Sequence, residues 1–178
     1  TSATSAVGTR HLARKDAAVL GLLGAGAEAK YHLLAFATIR PFKKAKFFCR
    51  TPETRAAFCR EMQPLVSCEL EPVESAQEAI HGVDAILTAT NSNVPVFDGS
   101  WLEAGMHVTS IVGGNVGLMN AGLIKERRRE IDDTTVQRAN VIIANSREQA
   151  IQDQQGDFYE PAEKGILHWD QVGDLSDL

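Results

Sequence analysis

The chain has 178 residues, of which 44% are hydrophobic, and a formal net charge of -5 at pH 7. This is enough apolar material for one domain with a sizeable core, and the negative charge gives no general attraction to nucleic acid or to an anionic membrane. No apolar run approaches the roughly 20 residues of a membrane-spanning helix, and the N-terminus has no signal-peptide core. We therefore expect a soluble protein, with the cytoplasm as the default location and no nucleic-acid or membrane partner.

Short apolar runs recur along the chain from residue 18 onward. The runs with strand character are 18–23, 45–49, 85–90, 108–112 and 140–144, with a weaker candidate at 66–73. Continuous apolar runs of this length are typical of parallel strands that are covered on both faces. They predict a sheet of about six strands.

Helix signals fill the intervals between these runs. Segment 28–39 places Tyr31, Leu34, Ala35 and Thr38 at helical spacing. Pro52 suits a first helical turn behind Thr51 as a possible cap, and shorter helices are predicted at 75–81 and 134–138. Strands that alternate with helices predict a doubly wound α/β fold with a mainly parallel sheet.

The two ends of the chain differ from this alternation. Residues 1–17 predict a helix that leads into the first strand, and residues 18–150 hold the strand-helix units. Residues 151–178 mix glycine, proline, aspartate and single aromatic residues. They predict an ordered but irregular C-terminal tail.

A glycine-rich turn directly follows the first predicted strand and directly opens a predicted helix. It reads Gly24-Ala25-Gly26-Ala27-Glu28-Ala29 and has the pattern G-x-G-x-x-A. Gly24 permits the tight turn, Gly26 lets a pyrophosphate approach the backbone, and Ala29 lets the helix pack closely on the sheet. The free N–H groups and the dipole at the helix N-terminus favour phosphate. The sequence therefore predicts a Rossmann-type dinucleotide-binding domain.

Ligands of such folds bind at the carboxyl ends of the strands. Three residues at the end of the 85–90 strand, Thr88, Ala89 and Thr90, together with Val112 after the next strand, are therefore expected on the ribose and nicotinamide side of the site. His107, at the start of that next strand, is interpreted as a structural histidine.

The residues after the second strand predict which dinucleotide is preferred. An Asp or Glu at this position accepts hydrogen bonds from a ribose 2′-hydroxyl and repels a 2′-phosphate. The strand ends instead in Cys49, Arg50 and Thr51. A guanidinium can bind a phosphate through paired, charge-assisted hydrogen bonds, and a hydroxyl can add another donor. This favours NADP over NAD, unless Arg50 is only a solvated surface residue.

Other chemistry-bearing residues give no further site. The cysteines Cys49, Cys59 and Cys68 suggest no disulfide framework, and neither they nor the five histidines have metal-ligand spacing, so no metal is expected. The basic run at 125–129 includes Glu126 and is followed by Glu130. It is interpreted as a solvated helix face rather than as a phosphate or nucleic-acid site.

Several segments together resemble the ornithine cyclodeaminase and mu-crystallin family. Residues 1–6, TSATSA, are similar to the family's R-T-G-A-A-S-A stretch, and RKDA at 14–17 with LGLLGAG at 20–26 is like its first strand and turn. TAT at 88–90 resembles a family turn. WL at 101–102 and GMHV at 105–108 resemble the family's W-L-x-x-G-x-H-I passage.

The resemblance implies an oxidoreductase of two domains. One binds NAD(P), and a second, built largely from preceding residues, binds substrate and forms a homodimer. Because the chain starts inside the first motif, with Thr1 expected at the cofactor, we expect the substrate and dimerisation domain to lie upstream. The chain alone is then expected to have little activity. The implied substrate is a small amino acid or cyclic imine.

One position departs from the family pattern. The aspartate proposed to transfer protons in cyclodeaminases is matched here by Asn115. An amide can orient a substrate by hydrogen bonding but cannot relay a proton near neutral pH. The sequence thus favours a ketimine reductase or amino-acid dehydrogenase, with a cyclodeaminase-type lyase and a non-catalytic, cofactor-dependent binding protein as alternatives.

Overall fold

The computed structural model describes residues 1–178, which form two compact units. The first unit contains residues 1–90 and 101–111, and the second contains residues 91–100 and 112–178. The predicted division at residues 17 and 150 stays a prediction. No helix combines the length and the apolar character that are needed to cross a membrane.

A five-stranded parallel sheet forms the centre of the first unit. Its strands are β1 Val19–Leu23, β2 Lys44–Phe48, β3 Glu69–Pro72, β4 Ala85–Thr88 and β5 His107–Ser110. They lie in the order β3-β2-β1-β4-β5, and every neighbouring pair is parallel. The α/β fold is confirmed, as is the weaker candidate at 66–73. The prediction of about six strands in this sheet was wrong by one, because the strand within residues 140–144 belongs to a separate sheet.

Helices cover both faces of this sheet. The first unit contains α1 Ser2–Leu12, α2 Ala27–Ile39, α3 Pro52–Met62 and α4 Ala76–Ile80. Leu20 and Leu22 share one core cluster with side chains of α2 and α3. Gly21 points to the opposite face, since strand side chains alternate. A Cβ there would lie 2.4 Å from the carbonyl oxygen of Ala79 on α4. Helix α4 therefore covers that face, with its backbone packed directly against the backbone of β1.

The buried face of α2 differs from the one that the apolar spacing suggested. Tyr31 is 63% exposed, and the buried residues are Ala29, His32, Leu33 and Phe36. The imidazole of His32 is buried because both of its nitrogens have polar partners: Nδ1 lies 2.7 Å from the Glu28 carbonyl oxygen and Nε2 lies 3.2 Å from Ser5 Oγ. A satisfied polar side chain therefore takes a core position that apolar periodicity cannot identify.

The second unit contains four helices and a separate sheet of two parallel strands. The helices are α5 Val116–Asn120, α6 Asp133–Arg138, α7 Arg147–Gln152 and α8 Gly156–Glu163, and the strands are β6 Ile142–Ala144 and β7 Val172–Asp174. The tail is therefore not irregular, because it supplies the last two residues of α7, all of α8 and the strand that pairs with β6. The sequence signal was weak because β7 has only three residues, including a glycine.

The basic run at 125–129 is not a solvated helix face, which corrects the interpretation from charge. It lies between α5 and α6, outside regular structure. Arg127 stacks on the Tyr159 ring at 4.6 Å and pairs with Glu163 at 2.9 Å. Arg129 is 6% exposed and pairs with Asp133 on α6. Glu163 and Glu160, both on α8, are the acidic partners of Arg127 and Arg129 that lie distant in sequence, and with Asp133 they make the burial of these arginines possible.

Candidate dinucleotide-binding site

The glycine-rich turn lies where the strand order of the main sheet reverses. It connects β1 to α2, with β2 on one side and β4 on the other. The Gly24 N–H donates to the Phe48 carbonyl oxygen at 2.9 Å, and the Ala89 N–H donates to the Leu23 carbonyl oxygen at 2.8 Å. The turn is therefore fixed to the ends of both neighbouring strands, at the edge where α/β folds bind ligands.

Gly24 and Gly26 serve this turn in different ways. Gly24 has φ +117, and a Cβ there would lie 2.2 Å from the Ala89 carbonyl oxygen. Gly26 has ordinary φ but faces open space, since a Cβ there would meet no atom within 4 Å. Gly26 is also the N-cap of α2, and no side chain caps that helix. The first N–H groups of α2 are therefore left for a ligand, and Gly26 keeps the approach to them open.

Helices α1 and α2 run side by side in the same direction. Near their N-termini, Ser5 Oγ lies 3.2 Å from His32 Nε2. Past the end of α2, the Arg40 guanidinium donates four hydrogen bonds to carbonyl oxygens at the end of α1 and just beyond, those of Arg10, Ala13, Arg14 and Lys15. Because the N-terminal part of α2 contacts the N-terminal part of α1, and the C-terminal end contacts the C-terminal end, the two helices are parallel. Their N-termini therefore lie next to each other. Thr1 is the N-cap of α1, and it too makes no side-chain capping bond.

The tip of β2 carries the predicted cationic group. Arg50 is exposed, and its side chain forms no hydrogen bond or ion pair. Thr51 is the N-cap of α3, yet its side chain does not cap the helix, which corrects the capping prediction. Cys49 is partly buried, and its thiol lies 3.5 Å from the Thr51 carbonyl oxygen. The guanidinium and the hydroxyl are thus both exposed at the position that reads an adenosine ribose.

Sequence reasoning missed two residues beside this tip. Arg55, in the first turns of α3, has a side chain only 7% exposed. Its Nη1 donates to the Cys49 carbonyl oxygen at 2.7 Å, and its Nη2 pairs with Glu74, two residues beyond β3. A basic residue five positions after Arg50 was the available signal, but nothing in the sequence paired it with Glu74.

The other predicted residues lie at different depths. Thr88 ends β4 and is fully buried, Ala89 is buried, and Thr90 is partly buried. Val112 and Asn115 belong to the second unit. Asn115 is the N-cap of α5 and is 6% exposed. Its Nδ2 donates to the Glu126 carbonyl oxygen at 3.3 Å, while its Oδ1 is buried without a hydrogen-bond partner.

His107 and Asp84 are two of the five titratable groups in the first unit that have shifted pKa values. Burial, and secondarily the charge of Arg40, lowers the pKa of His107 from 6.5 to about 4, and its Nε2 lies 3.2 Å from Thr9 Oγ1 and 2.9 Å from Thr109 Oγ1. Burial alone would raise the pKa of Asp84, but the N–H groups of Ala18 and Val19, with Arg14, outweigh it and lower the pKa. Both groups lie at the amino ends of strands, opposite the glycine turn, and stabilise the fold.

These features define a class of protein. A parallel sheet whose order reverses at β1, with a glycine turn at its carboxyl edge and an uncapped helix behind it, is a Rossmann-like dinucleotide-binding arrangement. Residues 1–165 match the model of the ornithine cyclodeaminase/mu-crystallin family, and the chain belongs to this family.

Individual relatives agree with this assignment. Delta(1)-pyrroline-2-carboxylate reductase of Bacillus thuringiensis subsp. konkukian is 32% identical over 94% of this chain and 48% of its own length. Ketimine reductase mu-crystallin of Rattus norvegicus is 31% identical over 86% of this chain and 44% of its own length. Thus the chain spans about half the length of the curated relatives it matches.

A solved structure has the same fold. Delta(1)-pyrroline-2-carboxylate reductase of Thermococcus litoralis, in complex with NADH and L-proline, superposes with a TM-score of 0.85 at 29% identity. The superposition covers 99% of this chain and 52% of the other.

Proposed function

We propose that this chain is the cofactor-binding part of an oxidoreductase of the ketimine reductase or amino-acid dehydrogenase type, which acts on a small amino acid or cyclic imine, with NADP preferred over NAD. The observation that carries the proposal is the open space at Gly26, in front of an uncapped helix N-terminus and at the reversal of the strand order. The names of two relatives, a pyrroline-2-carboxylate reductase and a ketimine reductase, support the substrate class.

The pyrophosphate would bind across the glycine turn. Open space lies in front of Gly26, in the turn that Ala25, Gly26 and Ala27 form, and the first turn of α2 would donate its N–H groups to phosphate oxygens. Glu28 is exposed in that turn, so its carboxylate can stay directed to solvent. The parallel packing of α1 on α2 supports a second contact from Thr1 at the neighbouring N-terminus.

The adenosine end would bind at the tip of β2. The exposed Arg50 guanidinium and the Thr51 hydroxyl, which does not cap α3, suit a 2′-phosphate. Cys49 directly precedes them in the chain and would contribute its backbone to the same site. The proposal predicts tighter binding of NADPH than of NADH. It also predicts that Arg50→Ala reduces this preference without unfolding the protein.

For the nicotinamide end, the first unit offers Thr88, Ala89 and Thr90 at the end of β4. Val112, which the sequence also predicts for this end, belongs to the second unit. When bound, a nicotinamide cofactor exchanges a hydride with the carbon of a C=N or C–N bond. Asn115 is proposed as the residue that orients the substrate. Its buried, unpartnered Oδ1 is an acceptor that the N–H of a protonated imine or amine would satisfy. As an amide it holds the substrate without moving a proton, which favours the reductase over the cyclodeaminase.

We propose that substrate binding and dimer formation use the second domain that the family resemblance implies. Rate enhancement requires a substrate fixed within reach of the nicotinamide, and the resemblance assigns that task to a preceding domain. We therefore propose that the chain binds cofactor but turns over little on its own, and that the whole protein is a homodimer. A cytoplasmic location stays a prediction from the sequence.

Cofactor titration followed by turnover tests this proposal. NADPH and NADH are titrated against the chain, and cyclic imines of different ring size are then offered to the whole protein with NADPH. Saturable binding by the chain and imine-dependent oxidation by the whole protein are expected. Binding without turnover of any imine would favour the non-catalytic alternative, and deamination of ornithine would favour the cyclodeaminase. Failure to bind either cofactor would refute the proposal.

A further inference from the structure

Beside Arg50, the tip of β2 has an ion pair, Arg55 with Glu74, to which the proposed 2′-phosphate site gives no role. Arg50 is exposed and unpaired, whereas Arg55 is buried beside it and engaged twice. One engagement, with the Cys49 carbonyl oxygen, fixes the residue that precedes Arg50. The other is an ion pair with Glu74, whose carboxylate is 79% exposed.

The two members of this ion pair are held very differently. Arg55 is held on three sides, by the Cys49 carbonyl, by Glu74 and by the Phe48 ring 5.6 Å from its guanidinium carbon. The Glu74 side chain is mostly in water. Since the carboxylate can leave with little loss of packing, it is the exchangeable partner of a fixed guanidinium.

A phosphate at this tip would compete with Glu74. The Arg55 guanidinium is bonded to the carbonyl of the residue next to Arg50, so a dianion bound by Arg50 lies close to it. A phosphate offers more acceptor oxygens and more charge than one carboxylate. While Glu74 stays in place, its negative charge neutralises Arg55, so the guanidinium attracts the dianion less.

We propose that Glu74 sets the selectivity between NADP and NAD by occupying Arg55, so that its carboxylate acts as an internal competitor of the cofactor's 2′-phosphate. This inference rests on the proposed cofactor site. The 2′-hydroxyl of NAD carries no charge, so Glu74 hardly affects NAD binding. Glu74 thus moderates a preference for NADP that Arg50 and Arg55 create together.

Equilibrium titration of the chain with NADPH and with NADH tests the proposal. Glu74→Gln should tighten NADPH binding by about 3-fold to 10-fold at low ionic strength and leave NADH binding within about 2-fold. Glu69→Gln is the matched control, because Glu69 lies at the start of β3, whereas Glu74 follows the end of that strand, and Glu69 pairs with Lys44. It should change neither affinity.

A double-mutant cycle separates occupation of Arg55 from simple repulsion. In an Arg55→Gln background, Glu74→Gln should no longer change the ratio of the two affinities. The same comparison can be made without the nicotinamide half of the cofactor. Glu74→Gln should tighten the binding of adenosine 2′,5′-bisphosphate and leave the binding of AMP nearly unchanged. If NADPH and NADH both bind but Glu74→Gln leaves their ratio unchanged, the inference is wrong and the proposed function stands. If neither binds the unmodified chain, both are wrong.

Discussion

Mild acid should destabilise the first unit through His107. In the folded chain burial, and then Arg40, lowers the pKa of this histidine from 6.5 to about 4. The unfolded chain therefore takes up the proton first as pH falls, so the stabilisation is present above about 6.5 and is lost as pH falls toward about 4. The difference between these pKa values corresponds to at most roughly 3 kcal/mol, of which about 2 kcal/mol falls between about pH 7 and about pH 5. Because the side chain is only partly buried, solvent screening reduces the expected loss to about 1 kcal/mol.

Urea unfolding at both pH values, followed by circular dichroism, measures this loss. His107→Asn keeps a hydrogen-bonding group near Thr9 and Thr109 but removes the titration, so its stability should fall by less over the same range. His81→Asn is the control, because the His81 side chain is 82% exposed. Asp84 and Asp133 have lowered pKa values and titrate below this window. Equal losses in the His107→Asn variant and the unmodified chain would refute the argument.

Three further substitutions test the site and its support. Gly26→Val should fill the open space and weaken NADPH binding at least about 10-fold in titration while the melting temperature stays unchanged, because no protein atom lies within 4 Å of the added Cβ; retained affinity would remove the pyrophosphate from this turn. Gly24→Ala should cost more than about 2 kcal/mol in urea unfolding, since it combines positive φ with a contact of 2.2 Å to the Ala89 carbonyl oxygen, and a neutral result would contradict the geometry. Arg40→Met should cost about 2–4 kcal/mol in the same assay, because it leaves the carbonyls that end α1 without donors; unchanged unfolding would mean that water replaces the guanidinium there.

Local pattern predicted the parts of this molecule that depend on local chemistry. Apolar runs located all five strands of the main sheet, and the spacing of Gly24 and Gly26 located the turn because their roles follow from backbone geometry alone. Pairings between distant residues were not predictable in this way. The pairing of Arg55 with Glu74 needs the ends of two strands to be neighbours, and the pairing of β6 with β7 joins residues about 30 positions apart.

Burial of polar groups was the second source of error. His32 and Arg129 both lie in the interior, and charge or polarity alone places such residues at the surface. Each has a partner that a distant segment supplies: Ser5 for His32, and Glu160 for Arg129. The role proposed for Asn115 likewise rests on a resemblance to a family, because its surroundings in the sequence do not indicate one.

The attachment of the glycine turn has a consequence for the thermodynamics of binding. Its backbone is hydrogen-bonded to β2 through Phe48, and the end of β4 is hydrogen-bonded to Leu23, which directly precedes it. A turn that is anchored on both sides before the cofactor arrives has little conformational freedom left to lose. The entropic cost of association therefore falls mainly on the flexible dinucleotide, and the turn is a preorganised receptor. The hydrogen-bonded amide protons of Gly24 and Ala89 should exchange slowly even in the absence of cofactor, whereas the free N–H groups at the start of α2 should exchange faster.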